Sequence, residues 1–236
     1  DLIFEHYPKQ YNPIDVQIYR KKFRNACIHA NKIIAISKQT KEDIIQLYKI
    51  PEKKIVVCYQ ACDTSFIAAV TETEKLQIKK KYNLPDQFFL YVGSVIERKN
   101  LLTICKAINT LKDKLNIPLV VIGQGGKYKE QVKNFVAANG LNKKIIFLSE
   151  QYPFDSSVDF PAIYQQALCM VYPSIFEGFG IPVLEALWSK IPVITSNVSC
   201  LPEAGGEGAL YVDPMNAEQI ADAMLRIATE NNLRNT

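Results

Sequence analysis

Two glutamates separated by seven residues, Glu177 and Glu185, frame the stretch with the greatest capacity for chemistry, Tyr172 to Leu187. Gly178 and Gly180 give the backbone freedom, and Pro182 then fixes the start of a helix. The N–H groups of Phe179, Gly180 and Ile181 are left pointing outward at a positive helix end, which makes an anion site. Glu185 could merely favour the helix dipole, and Glu177 could merely cap. Neither reading explains why two carboxylates flank an anion-seeking loop, where they would repel a phosphate unless their partners are hydroxyl groups. Hydroxyls beside a phosphate suit a sugar nucleotide.

Two weaker loops accompany this one. Val92-Gly93-Ser94 leads to Arg98 and Lys99, adjacent cations ahead of a helix. Such cations are usually solvated, so alone they say little. Gly123, Gly125 and Gly126 follow an apolar run and would let a ligand approach the backbone, although such a cluster is also an ordinary tight turn.

The elements that must position these loops alternate. Short apolar, β-branched runs lie near 33–36, 55–57, 88–92, 119–122, 145–148, 168–172 and 193–195. Helical periodicity lies between them near 38–49, 100–114, 127–139, 159–167, 180–189 and 216–230. Alternation of this kind predicts βαβ units, a parallel sheet and an α/β fold, with ligands at the carboxyl ends of the strands. Ser37 with Thr40 predicts one helix start, and Asn100 before the stripe Leu101, Leu102, Ile104, Cys105 and Ile108 predicts another. Residues 64–87 break the rhythm with a polar stretch, so a domain junction is expected near residue 66. Residues 1–66 are too few for a complete doubly wound domain and are expected to be the end of one.

Composition narrows the class. With 236 residues, 48% apolar and 22% charged, the chain can bury a core as one large domain or two small ones. No run approaches the ~20 apolar residues of a membrane helix, and the opening residues have no leader pattern. The start without Met, in mid-pattern, predicts a missing upstream segment. Six cysteines in apolar surroundings, without Cys-x-x-Cys, predict buried reduced thiols and a cytoplasmic location. His6 and His29 offer little for a catalytic triad or a histidine metal site, and His29 is expected on a helix facing a core. Basic and acidic residues number 25 and 14 in 1–150 but 3 and 10 in 151–236. Basic runs usually mean solvated helix faces, with attraction to an anionic membrane or phosphorylated acceptor as the rarer alternative.

The form E-G-F-G-I-P-V-L-E-A, residues 177–186, resembles the signature of the group 1 retaining glycosyltransferases, which share the two-domain GT-B fold. Three more stretches match in order: A-N-K-I-I-A-I-S-K-Q-T-K (30–41), G-S-V-I-E-R-K-N (93–100) and P-V-I-T-S-N-V-S-C-L-P-E (192–203). The resemblance implies a Rossmann-like donor domain over 67–236 and the tail of an acceptor-side domain over 1–66. It implies that Glu185 holds the donor ribose, that Glu177 contacts the transferred sugar near its anomeric centre, and that the amides of Phe179, Gly180 and Ile181 bind phosphate. Lys99 would neutralise the leaving diphosphate. Arg98 would be a second cation, since many members carry an arginine where this chain has Ser94. Gly93, Gly123, Gly125 and Gly178 fall on the donor-binding loops, and Ser149, in the loop 149–152, falls where the family reads the base.

The reaction implied is transfer of a sugar, with retention of configuration, from a UDP- or GDP-linked donor to a glycan or lipid-linked acceptor. No cofactor is expected: the sequence has no Asp-x-Asp motif, so a metal is not required. Nucleic acid is not an expected partner. The rivals are another GT-B chemistry, epimerase or phosphorylase, and a donor-binding module without turnover.

Overall fold

The computed structural model describes residues 1–154, 156–230 and 233. Its first region runs through α1 (Ile3–His6), α2 (Pro13–His29), β1 (Ile33–Ala35), α3 (Lys38–Tyr48) and β2 (Ile55–Val57). The Asn12 side chain accepts from the Ile14 N–H and Pro13 opens α2; the Ser37 hydroxyl accepts from the Thr40 N–H and opens α3, as expected. β1 and β2 pair in parallel, Ile33 opposite Ile55. Their core is small: Leu2, Phe4, Cys27, Ala35, Ile44, Tyr48, Ile50 and Ile55.

The second region contains α4 (Glu72–Tyr82), β3 (Phe89–Val92), α5 (Leu101–Leu111), β4 (Leu119–Ile122), α6 (Lys127–Ala138), β5 (Ile145–Phe147) and α7 (Leu148–Gln151). It continues through α8 (Phe160–Tyr164), β6 (Cys169–Tyr172), α9 (Ile181–Trp188), β7 (Val193–Ser196), α10 (Leu201–Gly205), β8 (Ala209–Val212) and α11 (Ala217–Thr229). Its six strands are all parallel, in the order β5-β4-β3-β6-β7-β8. Counted within the region, that is the doubly wound order 3-2-1-4-5-6.

Strand periodicity divides the core. Phe89, Tyr91, Val121, Val171 and Ile194 face one way, against α5, α6 and α11. Leu90, Val92, Val120, Met170, Tyr172 and Val193 face the other, against α8, α9 and α10. Both faces are covered, so β3, β4, β6 and β7 are buried at every position.

Several expectations need correction. The segment 149–152 is not a loop: Leu148–Gln151 forms α7, leaving only Tyr152 beyond it. The polar stretch 64–87 contains α4, whose Thr71 and Glu74 form a reciprocal capping box. Asn100 does precede α5, but its side chain does not cap. It adopts a left-handed φ of 61° and donates instead to the carbonyls of Pro173 and Pro214. His29 ends α2 on the surface, its Nδ1 against the Asn25 carbonyl, instead of facing a core. Cys58 is exposed, one residue past β2, although all six thiols are free.

Candidate functional site

In a doubly wound sheet, neighbouring strands whose connections leave on opposite faces open a crevice at their carboxyl ends. Here that switch point lies between β3 and β6. The Gly93 loop leaves β3 there, and the Tyr172–Ile181 loop leaves β6. Sheet order therefore brings together two loops that are about 80 residues apart in the chain.

Glu177 is 7% exposed and has a partner at each carboxylate oxygen. Tyr172 Oη donates to Oε1 at 2.9 Å, and Arg98 Nη1 lies 2.8 Å from Oε2. Lys99 Nζ is 3.5 Å from Oε1, and it donates to Tyr172 Oη at 2.6 Å. Arg98 is also buried and donates to the Phe176 carbonyl; its Nε has no partner among the described residues. The expected second cation therefore lies behind Glu177, with its charge engaged there. Lys99, its side chain 15% exposed, is the more accessible cation. Burial lowers the pKa of Lys99, and Glu177 opposes that shift.

The Glu177 backbone is fixed as well. Its N–H donates to Ser199 Oγ, and its carbonyl accepts from Ser199 Oγ and Cys200 Sγ. Two turns of chain away, Glu185 accepts from the buried phenol of Tyr164 at Oε2, 2.7 Å, while Oε1 has no protein donor among the described residues. Burial raises the Glu185 pKa above the usual carboxylate range; the Tyr164 bond and the Lys99 charge oppose it. The segment between β2 and α4 covers this side: Tyr59 stacks on Phe179 at 5.5 Å, and Phe66 meets Tyr164 edge-on at 5.2 Å.

The α9 start has the conformation its residues suggest. Gly180 has a φ of 106°, and Pro182 sits in the first turn. Among the described residues the N–H groups of Phe179, Gly180 and Ile181 donate to no backbone or side-chain acceptor. A side chain at Gly178 would strike Asp1, 2.5 Å from the added Cβ.

The other glycines serve loop contact. A Cβ at Gly123 would lie 1.9 Å from the Gly93 carbonyl oxygen, and one at Gly125 would lie 2.3 Å from that of Val95. The β3 and β4 loops thus press backbone on backbone, the tight-turn alternative for this cluster. At Gly93, φ 147°, an added Cβ would crowd Lys99 Nζ at 3.1 Å, so the absent side chain makes room for the lysine. Ser94 is exposed beside them, and Ser149 Oγ accepts from the Gly123 N–H at 2.9 Å.

The first region closes on the second at this end of the sheet. His6 packs on Phe176 at 4.4 Å and approaches Asp43 at 3.1 Å. Glu203 on α10 accepts from the N–H groups of Lys38 and Gln39, at 2.7 and 3.1 Å, and so caps α3 from across the molecule. A separate hollow lies among α1, α2 and α3, lined by Glu5, Arg20, Arg24 and Tyr48. Its Arg20 is already paired with Glu5, and no glycine loop opens into it.

Tyr172, Tyr164 and Glu203 were not singled out from the sequence. Tyr172 stood in view as the last residue of a strand, but strand position does not tell that its hydroxyl meets Lys99. Tyr164 precedes Glu185 by 21 residues, and no local spacing joins them.

Residues 72–236 match the family described as glycosyl transferases group 1. The chain is 31% identical over 229 residues to O-antigen chain mannosyltransferase B of Escherichia coli, spanning 95% of this chain and 59% of that protein. It is 30% identical to the O-antigen chain mannosyltransferase RfbU of Salmonella typhimurium, spanning 94% and 60%. The chain thus covers less than two thirds of the length of these relatives. Among solved structures, Anabaena HepE in complex with UDP and glucose superposes with a TM-score of 0.81 at 16% identity, over 97% of this chain and 61% of that one. That likeness speaks for the GT-B type of α/β fold, and the family match covers more than half of the sequence. This chain belongs to the group 1 glycosyl transferases.

Proposed function

We propose that residues 67–236 bind a nucleoside diphosphate sugar and that the chain works within a retaining glycosyltransferase, with residues 1–66 on the acceptor side. The observation that carries this reading is the convergence of Lys99, Arg98 and Glu177 beside the amino end of α9, with the Glu185 Oε1 oxygen left without a protein donor among the described residues.

Each group has a task in that reading. Lys99 meets the negative charge that grows on the leaving diphosphate as the anomeric C–O bond breaks, in a site organised before the reaction begins. The N–H groups of Phe179, Gly180 and Ile181 take phosphate oxygens. Glu185 accepts the ribose hydroxyls through Oε1. Glu177, held by Tyr172 and Arg98, contacts the sugar near its anomeric carbon. Gly93, Ser94, Gly123, Gly125, Gly178 and Ser149 border the donor. The acceptor hydroxyl attacks the face from which the diphosphate departs, which retains configuration.

The relatives named mannosyltransferases support mannose as the sugar and a glycan or lipid-linked O-antigen-type acceptor. UDP and GDP both remain candidate carriers. The 25 basic against 14 acidic residues in 1–150 are read first as solvated helix faces, with peripheral contact at an anionic membrane as the rarer alternative.

A thermal-shift screen with UDP, GDP, ADP and their sugars tests the donor reading. One nucleoside diphosphate at about a hundred times its Kd should stabilise the chain by about 2.7 kcal/mol. No shift from any of them contradicts it.

A further inference from the structure

Tyr172 closes β6 with its side chain fully buried, and its backbone carbonyl accepts from the Thr195 hydroxyl. Its hydroxyl accepts from Lys99 Nζ at 2.6 Å and donates to Glu177 Oε1 at 2.9 Å. The direct Lys99 to Glu177 separation, 3.5 Å, is longer than either bond. Lys99 reaches this point past Gly93, where no side chain obstructs it, and its Nζ lies 5.1 Å from the centre of the Tyr172 ring. A neutral phenol thus sits between an ammonium and a carboxylate that are already within ion-pair distance, and takes the shorter bond from each.

We propose that Tyr172 is a positioning residue: its hydroxyl holds Lys99 and Glu177 apart, so that the lysine charge stays available to a diphosphate instead of collapsing into a private ion pair. The inference rests on the donor-site reading above. Burial and the Glu177 carboxylate raise the phenol pKa well above its usual value, so Tyr172 stays protonated and keeps donating across the working pH range. The charged groups around Lys99 are Glu177 from the loop after β6, Glu185 from α9 and Arg98 from its own turn. Of these, Glu177 is the carboxylate bonded to the same phenol as Lys99.

Tyr172→Phe removes the hydroxyl and keeps the ring. Tyr82→Phe is the matched control: Tyr82 is buried and its phenol also donates to a carboxylate, that of Asp159 at 2.6 Å, far from Lys99 in the chain. Two readouts are taken on the 236-residue chain. The first is titration with UDP, UMP, GDP and GMP: Tyr172→Phe should weaken the diphosphate that binds by about tenfold, the scale of one hydrogen bond to a charged group, and leave its monophosphate within about twofold. Equal loss for both, or none for the diphosphate, overturns the proposal.

The second readout needs no nucleotide. The Lys99 ammonium, followed by 15N NMR as a function of pH, should titrate at higher pH in Tyr172→Phe, because the lysine then closes directly on Glu177. An unchanged or lowered midpoint overturns the positioning role. If the unaltered chain binds none of the four nucleotides, the donor-site reading fails by itself, and the Lys99 midpoint still decides what Tyr172 does. Tyr82→Phe should leave both readouts where they are.

Discussion

The two sheets of this molecule are made of similar residues and bury them very differently. In the six-stranded sheet, Phe89–Val92, Leu119–Ile122, Cys169–Tyr172 and Val193–Ser196 are buried throughout. In the two-stranded sheet, Ile34 is 72% exposed and Val56 51%, although Ile-Ile-Ala and Ile-Val-Val are equally good strand sequences. Helices lie on both faces of the large sheet, whereas the small one packs on one face against α1, α2 and α3 and leaves Ile34 and Val56 exposed on the other. Strand composition thus specifies a parallel strand, and the second layer of helices decides whether its residues become core. The open face of β1 and β2 agrees with the proposal that residues 1–66 are the tail of a larger acceptor-side domain.

The sharpest way to break that contrast is truncation. Ile194→Ala, at a fully buried position of β7, should cost about 2–5 kcal/mol of unfolding free energy. Ile34→Ala should stay within about 0.5 kcal/mol. Urea denaturation of both measures the difference, and equal losses would mean that the small sheet is as load-sharing as the large one.

A smaller effect is expected where the regions meet. Glu203→Ala withdraws the acceptor shared by the Lys38 and Gln39 N–H groups and should cost about 1 kcal/mol, the usual scale of a lost helix cap. Thermal unfolding at fixed pH reads the loss, and hydrogen exchange should rise first in α3. Protection changes confined to α10 would show that the contact does not hold the first region.

The smallest effect concerns pH. Burial raises the Glu185 pKa above its usual 4.5, so the folded state binds that proton more tightly than the unfolded chain does. The associated stability is complete below about 4.5 and is lost as pH rises through the folded value. Glu185→Gln, whose amide oxygen can still accept from Tyr164, should remove that part of the decline. Parallel stability profiles for both proteins across the carboxylate range would contradict it.

How far the sequence disclosed this arrangement depended on whether the signal was local. Residues 119–122 and 55–57 were placed to the residue because apolar runs bounded by polar segments are self-contained signals. β8 was missed, because Ala209–Val212 follows a glycine-rich stretch and is only partly buried. α2 and α4 were missed for want of an apolar stripe: only Val16 and Cys27 are buried in the first and only Tyr82 in the second. In the site, the α9 loop announced itself through Gly180, Pro182 and the two glutamates. That Arg98 would turn inward to Glu177 depended on the β3-β6 adjacency, and that Tyr164 would donate to Glu185 depended on the packing of α8 against α9; neither has a local signature.

Whether Glu185 serves a nucleotide rather than the fold is read by calorimetric titration of Glu185→Gln beside the unaltered chain, with UDP and with GDP. One of these nucleotides should bind the unaltered chain, and the substitution should weaken it by about 1–3 kcal/mol, the scale of a hydrogen bond to a charged group, while the fold persists. Equal affinity for both proteins, or no binding by the unaltered chain, would contradict that nucleotide role.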